Sequence, residues 1–558
     1  MTEINHADFL TGDYTGDYLD DVDLEKLAPV ARNKGNGKAA PVDIEPIYVS
    51  GDLPKATLAA WNAIADANDP PVVFRYGGAA VRLGTDDNDR PTFDVLFVDR
   101  MKHEVARIAP WMQKAVNRRT GEVSERPVPP PEVVIRDMIA TPAAKMPIPL
   151  VAGISEIPSF SENGVLCDKP GYNAENRMYY APPPGIVLPP IPTAPTEDEV
   201  QKARDLLLEP LLDFDFAGDA DLAHAIALGM LPYVREIIGP LAPLHLFDAP
   251  IHGSGKTLAA RVVLTPPMGT IPFVTQSGDE EYRKRICSQN LTGKTIFFLD
   301  NVTRELVSSV LANKITSPYL TDRILGKSME VSVPNRMIWV CTGNNVILSG
   351  ELARRTVRCR IDPNTDQPWL RTGFRIPNLD EWIVVNRGRL VAAALTIVQA
   401  WVADRMPMWQ GQPLGSFERW SRVMGGILDR AGIGGFLGNL EELYDAADIE
   451  NAIWRDLVSK WRKAHGEEKV GVKDLYPIAL EVEGLDLGDA KTDRGQRTAL
   501  GAKLRSKRNT VISVPGEHTV RYYKITPGIA KKKGAGLWML MEVTPRSGGE
   551  PREPSEPF

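Results

Sequence analysis

The sequence predicts an α/β protein: a parallel sheet covered on both faces by helices, preceded by an α+β domain and followed by a small basic domain. Three observations carry this. Between Pro243 and Ile361, short apolar runs rich in β-branched and aromatic residues alternate with helix-like stretches, as βαβ crossovers require. A glycine loop, HGSGKT, stands between the first of these runs and the helix after it. Residues 182–195 contain seven prolines, a semi-rigid linker composition that sets this region apart from what precedes it.

Taken in order, residues 1–45 hold eight Asp/Glu and no Lys/Arg in their first 25, then NKGNGKAAP, and read as a disordered acidic arm. Residues 46–181 form the α+β domain. Leu53 to Ala67 is helix-like, and PPVVFRYGGAAVRLG alternates as a hairpin with Gly77-Gly78 at its turn. TFDVLFVDR reads as a strand, MKHEVARIAPWMQKAV as an amphipathic helix, 127–150 as proline-punctuated chain, and GVLCDKPGYNAENRMYYAPPP as short strands around turns. The linker is assigned to 182–199. Residues 200–436 are the sheet domain: two helices, strands ending at Phe247, at 270–274, at Leu299, at Thr342 and at Ile361, and a helical lid from Leu379. Residues 437–545 read as two or three helices and an antiparallel pair, TVRYYKIT and GLWMLMEV, with a disordered tail over 546–558.

Composition narrows the classes. In 558 residues, 43% hydrophobic and 25% charged, a disordered chain, a collagen-like fibre and a disulfide scaffold are excluded. The four cysteines form no CxxC pair and the seven histidines no HxxxH pair, so no structural metal is expected. The longest apolar stretch, Leu390 to Ala403, is broken by Gln399 and falls short of the ~20 residues of a membrane span. The start MTEINHADFL has no basic region and no apolar region, so no signal peptide is expected, and the chain reads as cytoplasmic, without a membrane partner. The net charge of −7 hides an asymmetry: residues 494–533 carry eleven Lys/Arg against one acid, Glu517, a distribution that points to nucleic-acid contact.

The chemistry centres on Gly253, Ser254, Gly255, Lys256 and Thr257. Between a strand and a helix, such glycines turn backbone N–H groups onto phosphate oxygens, Lys256 reaches the β/γ-phosphates of ATP, and the Thr257 hydroxyl ligates Mg²⁺. Pro250 replaces the first glycine of the full GxxxxGK[ST] pattern. TIFFLD ends a strand on Asp300, placing a carboxylate where it can hold the Mg²⁺ shell. The next residue is Asn301 rather than a second acid, which leaves the general base open, with Glu280 and Glu281 as substitutes. WVCTGNN delivers Asn344 to a neighbouring strand tip, where its amide can orient water. Arg354 and Arg355 precede the last strand, where they can act as a finger in a neighbouring subunit's site.

This order resembles that of AAA+ ATPases, and within them the helicase-type ATPases of phages, plasmids and integrated elements related to superfamily 3 and to the minichromosome-maintenance helicases. The carriers are EEYRKRICSQNLTGKTIFFLDNV, TDRILGKSMEVSVPNRMIWVCTGNN and ELARRTVRCRID, within about 245–362. GYNAENRMYY also resembles the segment before the helicase core of viral primase-helicases. The resemblance implies Lys256 and Thr257 for nucleotide and Mg²⁺, Asp300 for Mg²⁺, Asn344 as sensor and Arg354 or Arg355 as finger. It further implies a hairpin in RILGKSMEVSV that grips single-stranded DNA in a ring channel through Lys327, with Arg323 nearby. RGQRTALGAKLRSKR sets Leu500 and Leu504 on one helical face, with Lys503, Arg505, Lys507 and Arg508 on the rest, and Lys531, Lys532 and Lys533 lie between the last two strands. That pattern resembles a winged helix bound to duplex DNA. The expectation is an ATP-hydrolysing, ring-forming DNA helicase or translocase, a hexamer, replicating a phage or mobile element in a bacterial host, with a primase or other replisome protein as a further partner. An ATP-switched origin binder without unwinding is the alternative. A protein-remodelling ATPase is disfavoured, because the loop TQSGDEE lacks an aromatic. No paired-acid primase motif is present in 46–181, so that domain is not expected to synthesise nucleic acid.

Overall fold

Strand-forming runs and helices do alternate, and they build a five-stranded parallel sheet. The computed structural model describes residues 45–544 apart from 50, 88, 117, 118, 120, 304, 324–329, 448, 488–491, 516–519, 533 and 534. The chain divides into two units: Met1–Ile157 with Lys169–Leu188 and Leu291–Gly293, and Pro158–Asp168 with Pro189–Asn290 and Lys294–Phe558.

In the first unit, helices Leu53–Asp66, Val98–Ile108 and Glu132–Ala140 pack around buried Trp61, Ile64, Met101, Val105, Trp111, Ile135 and Met138. The expected hairpin is present: Val73–Tyr76 pairs with Ala79–Thr85 across Gly77 (φ 56°) and Gly78 (φ 86°), the left-handed pair that a tight hairpin turn needs. Two expectations are corrected. The helix expected to run through MKHEVARIAPWMQKAV ends at Ile108, because Pro110 disfavours helical backbone at the residue before it, and Trp111–Val116 is a strand paired with Val123–Pro127. The proline-punctuated stretch contains the helix Glu132–Ala140, entered directly from Pro131.

The second unit opens with helix Glu197–Leu208, fixed by a capping box in which Thr196 and Glu199 satisfy each other's amides. The sheet strands are β1 (Leu244–Ala249), β2 (Phe273–Thr275), β3 (Ile296–Val302), β4 (Ile338–Asn344) and β5 (Thr356–Arg360). Helices α1 (Lys256–Met268), α2 (Asp279–Leu291) and α3 (Ser309–Thr316) lie between them. The order is β2-β3-β4-β1-β5, all parallel. β1 is buried along its whole length, and so are Ile296–Leu299 and Ile338–Gly343, as expected for strands covered on both faces. β1 sits between β4 and β5, so the chain leaves it at a topological switch point, the place where open α/β sheets take ligands. Helix Arg387–Ala403 is buried on most of its surface and packs on Glu197–Leu208. Among the described residues no single helix is long and apolar enough to cross a membrane.

The C-terminal elements are helix Ile449–His465, strand Val470–Gly471, helices Val472–Leu480 and Asp493–Ser506, and strands Val511–Pro515, Val520–Lys532 and Ala535–Glu542. Val470–Gly471 joins the last three strands in one antiparallel sheet, beside Ala535–Glu542. Trp454, Trp461, Leu475, Leu500, Leu504, Ile512, Ile525 and Leu540 form a core of their own. This set has two strands, Val470–Gly471 and Val511–Pro515, beyond the antiparallel pair that the sequence pattern resolved.

His224 ties β5 to the chain after helix Glu418–Arg430. Its Nδ1–H donates to the Arg358 carbonyl at 2.7 Å, and its Nε2 accepts the Leu437 N–H at 3.1 Å. The second bond needs the neutral ring, and burial lowers the ring's pKa to about 4. The unfolded chain therefore binds a proton at this ring that the folded chain refuses. Stability is full above pH 6.5 and is lost as the pH falls towards 4, by about 3 kcal/mol from this group. Thermal unfolding followed from pH 7 to 4 is expected to show this loss, and His224→Gln is expected to reduce the slope.

Candidate active site

β1 delivers Asp248 and Ala249 to the C-terminal edge of the sheet, and the chain then turns back as a loop. Gly253 (φ +74°) and Gly255 (φ +84°) are both left-handed, a conformation costly for other residues. Space is short as well: a Cβ at Gly255 would lie 3.0 Å from the Phe214 ring, and one at Gly253 3.2 Å from Trp369. α1 starts at Lys256, directly after the left-handed Gly255, so the first α1 amides have no acceptor within the helix and open onto the loop. The Ser254 hydroxyl is buried with no hydrogen-bond partner. Pro250 is accommodated because β4's successor residue holds this turn: Asn345 donates its N–H to Ala249 O at 3.0 Å and its side chain to Pro250 O at 3.5 Å.

Lys256 is 8% exposed. Burial lowers its pKa, and the nearby carboxylates of Asp300 and Asp248 pull it back up. Asp300 Oδ1 accepts from the Thr257 hydroxyl at 2.9 Å and from the Thr342 hydroxyl at 2.6 Å. The two hydroxyl oxygens are 3.4 Å apart. Two hydroxyls and a carboxylate beside a buried ammonium form a set of hard oxygen donors that a divalent cation with bound waters can take.

β3 leaves the ladder here. Its register against β4 shifts between Leu299 and Val302, and Asn301 adopts φ 55° within that bulge. Asparagine tolerates this conformation better than glutamate does. The Asn301 N–H donates to the Thr342 hydroxyl at 2.9 Å. Gly343 leaves room for the bulge: a Cβ there would lie 2.7 Å from the Val302 carbonyl.

Asn344 meets a different partner. Its Nδ2 is 2.6 Å from His252 Nδ1, so that ring nitrogen carries no proton when it accepts, and Asn344 Oδ1 is buried without a partner. Behind it, buried Asp248 accepts the Val346 N–H at 3.1 Å and pairs with Arg360 at 2.5 Å. Arg360 also donates to Asn345 Oδ1 at 3.2 Å. Burial pushes the Asp248 carboxyl up, and the Val346 N–H and Arg360 oppose that. This bracket fixes the turn after β4 to the ends of β1 and β5.

The structure thus brings together Gly253, Ser254, Gly255, Lys256, Thr257, Asp300 and Asn344. It does not bring Arg354 and Arg355 to them. Both precede β5, at the opposite edge of the sheet, about 16 Å away by the length of a five-residue strand. Arg354 is exposed; its Nε donates to Gly350 O at 3.2 Å, and Arg355 donates to Glu351 O at 2.6 Å. Tyr319–Arg323 pairs with Glu330–Pro334 as an antiparallel hairpin, with exposed Arg323 at its end; Lys327 lies outside the described residues. Lys503 and Arg505 occupy the last turn of Asp493–Ser506, and Lys507 and Arg508 follow it, while Leu500 and Leu504 are buried. The Lys507 ammonium is 5.8 Å from the Trp454 ring centre. Lys531 and Lys532 close the strand Val520–Lys532, and Lys533 lies outside the described residues.

The sequence reading missed Thr342, His252 and Arg360. Thr342 carried a signal: it lies two residues before Asn344, hence on the same face of β4, and next to the residue that pairs with Leu299.

The fold and site define an α/β chain with a glycine loop and a carboxylate–hydroxyl cluster at one sheet edge. No family model matches this chain, and no curated protein matches it. Among solved structures it is similar to one described as "SCCmec type IV Cch – active helicase", at 11% identity and a TM-score of 0.30, over 80% of this chain and 82% of that one.

Proposed function

We propose that this chain is an ATP-hydrolysing AAA+ motor that works as a ring, a hexamer, to translocate on and unwind DNA in the replication of a phage or mobile element. The observation that carries the reading is Asp300 bound to the Thr257 hydroxyl beside buried Lys256, at the switch point of the sheet. In this reading the amides of Gly253–Thr257 hold the triphosphate and Lys256 neutralises its β/γ oxygens. Thr257 and Asp300 carry Mg²⁺, with Thr342 as an additional anchor for the carboxylate. Asn344, released from His252, orients the attacking water. Arg354 and Arg355 are too far from their own loop and serve the site of the neighbouring subunit. The order loop, Asp-tipped strand, Asn-tipped strand, arginine pair is that of the AAA+ helicases the sequence resembles.

DNA contact is assigned to two places. In this reading Lys327 and Arg323 grip single-stranded DNA in the channel, Arg323 from the end of the hairpin of Tyr319–Arg323 and Glu330–Pro334. Residues 437–545 form a winged-helix-like domain for duplex DNA, supported by the order helix, strand, helix, helix, strands and by the cations on Asp493–Ser506. A primase or another replisome protein is the further partner. In full-length protein, combined Lys503→Ala, Arg505→Ala and Arg508→Ala is expected to flatten the log–log salt dependence of duplex binding by up to about 2.7, at about 0.9 for each phosphate that is no longer neutralised. An unchanged slope would remove this helix from the DNA-binding surface.

A further inference from the structure

The loop glycines are pressed by two aromatic side chains that no catalytic role uses. Trp369 lies against Gly253, with its Cβ and a ring carbon both 3.2 Å from where a Cβ would stand, yet the residue is 58% exposed. Phe214 lies against Gly255 and, half-buried, neighbours Phe216 at 6.4 Å between ring centres. A large ring that is this open, beside a polar loop, has an unused apolar face.

The two rings sit on segments tied to each other. Phe214 belongs to the stretch that runs beside the end of β5: Ala217 N donates to Arg360 O at 2.9 Å, and Asp362 N to Asp215 O at 2.8 Å. Trp369 belongs to the short turn Pro368–Leu370 that follows. Arg371 pairs with Asp215 at 2.7 Å, and Asp213 accepts the Arg375 N–H at 2.7 Å. These bonds clamp the turn to the Phe214 stretch and hold the indole at the loop.

A triphosphate seated on the loop keeps its phosphates on the amides and leaves its base outside, where the base needs a flat apolar surface. Resting on the triphosphate reading above, the geometry points to Trp369 as the platform on which the nucleobase of the bound nucleotide stacks, with Phe214 supporting the loop from the Gly255 side. The chain then recognises a nucleoside triphosphate by its base as well as by its phosphates, and Trp369 sets that part of the affinity.

The experiment is calorimetric titration of the full-length chain with Mg·ATP and with inorganic tripolyphosphate, for wild type, Trp369→Ala and Trp369→Phe. Wild type is expected to bind ATP more tightly than tripolyphosphate. Trp369→Ala is expected to weaken ATP about tenfold, the scale of one base–aromatic stack, and to leave tripolyphosphate unchanged. Trp369→Phe, which keeps an aromatic face, is expected to retain most of the ATP affinity. The inference is overturned if Trp369→Ala binds ATP as wild type does, or if it loses ATP and tripolyphosphate in proportion, as a collapsed loop would. Wild-type protein that binds neither probe would overturn the triphosphate reading itself, which separates the two failures.

Discussion

Lys256→Ala is expected to all but abolish ATP turnover, by about 10²–10³-fold, the effect seen when a group that stabilises transition-state charge is removed. Lys256 is buried, with Asp300 and Asp248 as its charged neighbours. A triphosphate entering the loop brings several negative charges to a site where water does not screen them. Without Lys256 they face the Asp300 carboxylate with no ammonium between them, so both binding and hydrolysis suffer. The sign of the pH dependence follows from the same burial. Because the lysine pKa is lowered in the empty site, ATP binding is expected to weaken with rising pH earlier than an ordinary lysine would allow. Steady-state hydrolysis near the wild-type rate in Lys256→Ala would end the assignment of this loop to phosphate.

Arg354→Ala and Arg355→Ala are expected to behave differently. One of the two should leave nucleotide binding intact and lower hydrolysis by about 10³-fold, the lower bound for a missing arginine finger. The reason is geometric: the pair stands at the sheet edge opposite its own loop, so in the proposed ring it serves a neighbouring chain's phosphates. Mixing that variant with Lys256→Ala is therefore expected to restore part of the activity. A mixed ring contains interfaces with an intact loop on one side and an intact arginine on the other. Absence of restored hydrolysis at every mixing ratio would exclude a shared site.

Much of the sheet was legible because its signals are local. A buried parallel strand must be apolar along its length, so β1, β3 and β4 stood out, and each ended on a residue that broke the pattern: the glycine loop, Asp300 and Asn344. Less was legible where tertiary register decides. Thr342 reaches Asp300 only because β3 bulges between Leu299 and Val302. His252 has no local signal, because its contact depends on β4 placing Asn344 beside it. Arg360 has no local signal either, because its pairing with Asp248 depends on β5 lying next to β1. Trp369 sits in a short 3₁₀ turn with no periodicity, and its place over Gly253 is set by the Arg371–Asp215 pair, far apart in sequence. The strand Trp111–Val116 was hidden within a helical pattern, because its alternation is compatible with either period over so few residues.

In the proposed function, ATP hydrolysis at the Asp300 cluster drives movement along DNA. The most direct test is strand separation of a forked duplex by the purified full-length chain with ATP and Mg²⁺, with ATP consumption recorded in the same reaction. The expected result is strand separation that requires ATP, with neither separation nor hydrolysis in Lys256→Ala. A wild-type protein that consumes ATP while the fork stays intact would contradict the claim.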